Sequence, residues 1–210
     1  MLVTAAISTT LALVSPGCGD PPESPSQGAP SEREAAPGRA TVVGKAPPAT
    51  SGFPSIIVLE PRTPSDFPAA AEPPVMDQFG LAFLPAMLLA RTGEPVLFRN
   101  SEDVLHNVRV VESETKLPVF NVAIPPFGSY THTFERPGFY TVACDVHPAM
   151  KADILVTSSP YATTADKAGD FTLPDVPPGE YTLVVYHGTQ RLARDVNIAA
   201  PRTELIVTGN

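Results

Sequence analysis

Residues 130 to 156 read Y-T-H-T-F-E-R-P-G-F-Y-T-V-A-C-D-V-H-P-A-M-K-A-D-I-L-V. Three short runs stand in or against this stretch: 129 to 134 (S-Y-T-H-T-F), 138 to 144 (G-F-Y-T-V-A-C) and 151 to 156 (K-A-D-I-L-V). Their β-branched and aromatic residues, with no helical period, predict strands. Arg136-Pro137-Gly138 supplies the reversal between the first two, because proline presets a turn dihedral and glycine accepts a left-handed one. The same pattern extends upstream, through candidate strands at 86 to 91, 95 to 99, 106 to 111 and 119 to 123. Turn signals separate them at Thr92-Gly93, Asn100-Ser101-Glu102-Asp103 and Pro125-Pro126. After Ser159 a second block brings further β runs at 171 to 173, 181 to 186, 193 to 198 and 204 to 207. The expected fold class is all-β, with no internal repeat.

The chain has 210 residues, 43% of them hydrophobic, which is enough to core one medium domain or two small ones. Proline is the outlier at 26 residues, about half of them before position 75, so the N-terminal third is read separately. Residues 2 to 14 (LVTAAISTTLALV) are too short a run to span a bilayer and suit the apolar core of an export signal, although no Lys or Arg precedes them. Cys18, in S-P-G-C, stands where a lipidated cysteine would; ordinary cleavage of the leader nearby is the alternative. From Asp20 to Ala40 no large apolar residue occurs, so the segment cannot offset the entropy of ordering and reads as a tether. Residues 41 to 43 and 55 to 60 are the first strand candidates, followed by Pro-rich loop. The expected division is a signal at 1–18, tether at 19–40, strands and loop at 41–74, a first β domain at 75–157 and a second β block at 158–210. Net charge is −8 with no stretch that clusters Lys and Arg with aromatics, which argues against a nucleic-acid partner.

The segment Cys144-Asp145-Val146-His147-Pro148-Ala149-Met150 places a thiol, an imidazole and a thioether within seven positions at the end of a strand. Thiolate and imidazoles with a weak axial thioether suit copper. The second imidazole is His106, in N-S-E-D-V-L-H-N-V, where a turn leads into a strand. Taken singly, each residue has a plainer reading: a cysteine or methionine in the core, a histidine at the surface. Zinc competes for Cys and His, but structural zinc rarely recruits Met. Cys18 and Cys144 could pair by count, yet one sits in a leader and the other in a dense motif.

On these residues, the stretch from about Val75 to Val156 resembles the cupredoxins. The C-x2-H-x2-M loop with Pro148 after its histidine looks most like that of amicyanin, since plastocyanin has a longer gap. F-L-P at 83 to 85, T-G-E-P-V-L-F-R-N at 92 to 100 and H-N-V at 106 to 108 support the likeness. The resemblance implies a Greek-key β-sandwich holding one copper through His106, Cys144, His147 and Met150. It implies that Asn107 fastens the two ligand loops by a side-chain hydrogen bond to the backbone around Asp145. It also implies electron exit through His147, with Pro148, Ala149, Leu84 and Pro85 as an apolar docking patch. D-K-A-G-D-F-T-L-P-D-V-P-P-G-E-Y-T-L at 166 to 183 is similar to carboxypeptidase-regulatory-like, transthyretin-like β-sandwich modules, with turns at Gly169 and Gly179. That tail is short, and residues 41 to 60 are candidates for its missing strands, which would make the cupredoxin part an insertion. The combination resembles bacterial proteins labelled methylamine-utilisation or plastocyanin-like.

The function so implied is a blue-copper, one-electron carrier cycling Cu(II) and Cu(I), and not a catalyst. It would be periplasmic or otherwise extracytoplasmic, with a lipid tether at Cys18 as one arrangement, and would serve a transient redox partner. Copper storage or delivery, and a metal-free scaffold, are the competing readings. Multicopper catalysis would need more histidines than the remaining two, His132 and His187.

Overall fold

The computed structural model describes residues 36–50, 53–63 and 67–207. The export run, Cys18 and the tether as far as residue 35 lie outside them. The chain opens with β1 (Ala40–Lys45) and β2 (Ile56–Pro61). It continues through β3 (Val75–Phe79), β4 (Ala82–Leu84), β5 (Met87–Arg91), β6 (Pro95–Asn100), β7 (His106–Glu112), β8 (Pro118–Ile124), β9 (Ser129–Thr133), β10 (Gly138–Ala143) and β11 (Lys151–Thr157). It closes with β12 (Ala162–Thr164), β13 (Asp170–Val176), β14 (Gly179–His187), β15 (Gln190–Ile198) and β16 (Arg202–Ile206). Among the described residues there is no helix, and the protein is all-β.

Two sheets, ordered β5-β11-β10-β7-β8 and β4-β3-β6-β9, face each other over one core. Met76, Phe83, Phe98, Val108, Val142 and Ile154 fill it from both sides. β3 runs parallel to β6 and β5 parallel to β11, so the chain crosses between sheets instead of meandering. The second sandwich is built from β13-β1-β16 and β12-β2-β14-β15. Its strands come from both ends of the described chain: β1 pairs with β13 and β16, and β2 pairs with β12 and β14. The first sandwich is therefore inserted between β2 and β12.

The continuous apolar runs explain how the sandwiches join. In β2, Ile57 and Leu59 point into the second core while Ile56 and Val58 point out of it. In β11, Ile154 and Val156 enter the first core and Leu155 points away, and Val184 of β14 likewise turns from its own core. Ile56, Val58, Leu155 and Val184 meet in a third cluster, with Phe139 set edge-on to Tyr186 at 5.0 Å between ring centroids. Strands buried on both faces lose the alternation of a half-exposed strand, because a period of two then places apolar residues at every position.

Three strands escape the sequence pattern, one of them β4, which has only three residues. β3 (V-M-D-Q-F) directs Met76 and Gln78 inward, and an inward glutamine breaks the apolar alternation that would have marked it. β12 has only three residues. At Gly169, where φ is +91°, an added Cβ would overlap the carbonyl oxygen of Ala46, which is why the turn before β13 needs glycine.

Candidate metal centre

The turn from Asn100 to Leu105 delivers His106 to the start of β7. Asn100 is fully buried, and its Nδ2 donates to the carbonyls of Val104 at 2.8 Å, Ile124 at 3.1 Å and Pro125 at 3.2 Å. Its Oδ1 accepts from the Glu102 amide at 3.0 Å. One carboxamide thus moulds the turn from inside. His106 is also fully buried, and its Nε2 lies 2.9 Å from Oε2 of Glu102. An imidazole that donates from Nε2 to a carboxylate presents its Nδ1 lone pair inward, the usual arrangement behind a metal-ligating histidine.

Cys144 follows β10, and the hairpin to β11 closes through the Cys144 amide donating to the Met150 carbonyl at 3.2 Å. The Met150 amide in turn donates to the His147 carbonyl at 2.9 Å, so both of these bonds close the loop on itself. Cys144 is a free, buried thiol. Its Sγ accepts from the His147 amide at 3.4 Å and stands 3.9 Å from His106 Nδ1. His147 Nδ1 lies 3.0 Å from His106 Nδ1, and the donor atoms of His106, Cys144 and His147 all fall within 4.8 Å of one another. Met150 is 1% exposed and packs in the same core cluster as Cys144.

Asn107 joins the two segments. Its Oδ1 accepts from the Asp145 amide at 2.6 Å, the Val146 amide at 3.3 Å and the Cys144 thiol at 3.3 Å. Its Nδ2 donates to Asn121 Oδ1 at 2.7 Å and Asp145 Oδ2 at 3.1 Å. The Asp145 carboxylate also accepts from Arg109 Nε at 2.7 Å and Asn121 Nδ2 at 2.9 Å. The hydrogen bond from Arg109, then that from Asn121, hold the Asp145 carboxyl below the usual carboxylate range. Sequence reasoning missed Glu102, Arg109 and Asn121. Glu102 looked like turn polarity, and the other two are ordinary outward residues of strands.

His147 is half-buried, and Pro148 and Ala149 beside it are exposed. Leu84 and Pro85 are exposed as well. Two further exposed apolar side chains are tied to the His106 turn: the Leu81 amide donates to Glu102 Oε2 at 3.2 Å and the Phe127 amide to the Glu102 carbonyl at 3.3 Å. Both residues hold left-handed backbone, at φ 55° and 59°, a costly conformation for large side chains. The other two histidines have different surroundings. His132 packs against Phe120 and Phe134, and burial lowers its pKa. His187 bonds Ser55 and Thr50 at 3.0 Å each.

The donor set fits a single soft-to-borderline ion. Groups bound at about 2.0 to 2.3 Å from one ion stand roughly 3 to 4 Å apart, as the 3.0 and 3.9 Å separations here do. One thiol, two imidazoles and a neighbouring buried methionine suit copper better than structural zinc, which favours sets of Cys and His alone.

The family described as polysaccharide lyase family 4, domain II, matches residues 145–204. This differs from the carboxypeptidase-regulatory-like reading of residues 166 to 183 and corrects it. The stretch is a β-turn-β pattern, with Asp166 and Gly169 in the turn and Phe171 and Leu173 inward, its flanking strands β12 and β13 lie in different sheets, and such a turn between two sheets does not identify one sandwich family. A mutant of amicyanin in the Cu(I) state is similar at 22% identity, covering 48% of this chain and 98% of that one, with a TM-score of 0.38. An oxidized amicyanin mutant is similar at 23% identity with the same coverage and score. A purple cupredoxin from Nitrosopumilus maritimus is similar at 20% identity, covering 40% and 99%, with a TM-score of 0.36.

Proposed function

We propose that this chain is a mononuclear copper protein that carries one electron at a time outside the cytoplasm. His106, Cys144, His147 and Met150 would hold the metal. The observation that carries the reading is the convergence of a buried thiol and two imidazole nitrogens within 4.8 Å. Bound there, copper would supply a Cu(II)/Cu(I) couple.

The chain's own residues favour small rearrangement. Glu102 fixes the plane of His106, and Asn107 fixes the backbone that carries Cys144 and His147. Positions held by a packed shell change little when charge changes, which is what an electron carrier needs. Half-buried His147, with Pro148, Ala149, Leu84 and Pro85 exposed, would form the exit, and docking there would be brief, as redox encounters are. Arg109–Asp145 and Arg99–Asp77 pair their charges internally, so contact at this end would depend weakly on salt. Export and attachment through Cys18 complete the proposal, and no catalytic role is assigned.

The test is a potentiometric titration of the copper-loaded chain, followed by rapid mixing with a small inorganic oxidant. Reversible uptake of one electron per chain, with fast exchange, is the expected result. Copper that binds but does not cycle would favour storage or delivery instead.

A further inference from the structure

Asp145 is followed on the solvent side by a ring of side chains that the four-ligand description does not use. Its carboxylate takes three donors: Arg109 Nε and Asn121 Nδ2 at 2.7 and 2.9 Å, and Asn107 Nδ2 at 3.1 Å. Asn121 completes the circuit by accepting from Asn107 Nδ2 at 2.7 Å. Arg109 and Asn121 are register partners on β7 and β8, so the sheet itself sets the spacing of two members. The third member, Asn107, lies two residues before Arg109 on the same face of β7, because side chains repeat every second residue.

A carboxamide can be flipped end for end at little intrinsic cost, and its orientation is decided by its partners. Turned over, Asn107 would place an NH2 group against the amides of Asp145 and Val146, donor facing donor. The observed orientation places Nδ2 against two acceptors, Asn121 Oδ1 and Asp145 Oδ2. Arg109 and Asn121 also keep the Asp145 carboxylate over β7 and β8 and so tie down the residue next to Cys144.

We propose that Arg109 and Asn121 are positioning residues: with the Asp145 carboxylate they lock the Asn107 carboxamide and thereby the loop from Cys144 to His147. The lock is a property of the metal-free chain. Its consequence for copper retention rests on the copper reading above.

Arg109 is 41% exposed at its side chain and Asn121 is exposed, so truncating them leaves the apolar core in place. The experiment uses the full chain with Asn121→Ala, Arg109→Ala and the double variant. Lys45→Ala, which removes an exposed ion pair of the second sandwich, is the control. Amide hydrogen exchange in the metal-free protein is read first. Because exchange reports local opening, the Asp145 and Val146 amides are expected to exchange at least about tenfold faster in the double variant, with core amides of β10 and β11 unchanged. Arg109→Lys, which keeps a cationic donor, restores much of the protection. Release of copper to a chelator is read second and is expected to accelerate several-fold, while Lys45→Ala matches the parent chain. Exchange at parental rates in the double variant overturns the lock, whatever copper does. Failure of the parent chain to take up copper defeats the copper reading instead, and the exchange data still decide the lock.

Discussion

The two sandwiches share an architecture but bury different polar groups. At the ligand end of the first, Gln78, Asn100, His106 and Asn107 are withdrawn from water. In and beside the second, the corresponding groups are the small hydroxyls of Ser55 and Ser159, which donate to the carbonyls of Pro47 and Leu59 at 2.7 and 2.6 Å. Carboxamides and imidazoles are costly to bury unless their partners are in place. Here most partners belong to the loops around Cys144 and His106, so these buried groups order loops. The hydroxyls of the other region close gaps in backbone bonding. A molecule that only needed to fold could have used apolar residues throughout, as replacing a satisfied polar pair by well-packed apolar groups is often neutral for stability.

Single substitutions separate the two regions. Leu183→Ala, 1% exposed in the second core, is expected to cost about 3 kcal/mol, measured by urea denaturation, and to leave the optical spectrum of the copper form unchanged. Asn100→Ala removes the donor to three carbonyls and is expected to cost about 2 kcal/mol. Unlike the first variant, it should also hasten copper loss, because the turn that delivers His106 loses its support. Ser55→Ala is expected to cost about 1 kcal/mol with copper retention unaltered, since its hydroxyl bonds Pro47 and His187, away from the ligands. Lys45→Ala should move neither the melting temperature nor copper retention, its ion pair with Asp170 being more than half exposed on both sides. Equal copper loss in all four would dissolve the distinction between the regions.

Much of this was legible in the sequence, for identifiable reasons. The closeness of Cys144 and His147 was readable because the loop packs both, with Met150, into seven positions. His106 was readable because a turn signal and a strand run bracket it. β10 and β11 carry unbroken apolar and β-branched runs. Glu102 could not be found this way: its contact with His106 runs across an irregular turn, where no periodicity relates residues four apart. Asn121 and Arg109 were hidden for another reason, since outward polar residues on strands are the normal case and only the register of β7 with β8 brings them together. β3 was lost to Gln78, whose inward side chain donates from Nε2 to the Asn107 carbonyl at 3.2 Å. The second sandwich was visible in outline from its turns, but a pattern of turns and alternating residues fits many sandwich families.

Copper ligation by the Cys144 thiolate is decided by the absorption and EPR spectrum of the oxidised, copper-loaded chain beside that of Cys144→Ser. An intense visible band near roughly 600 nm with narrow copper hyperfine splitting is predicted, as thiolate ligation in a site of this type gives, with the loss of both in the variant. A colourless oxidised protein, or copper bound equally well without Cys144, would contradict it.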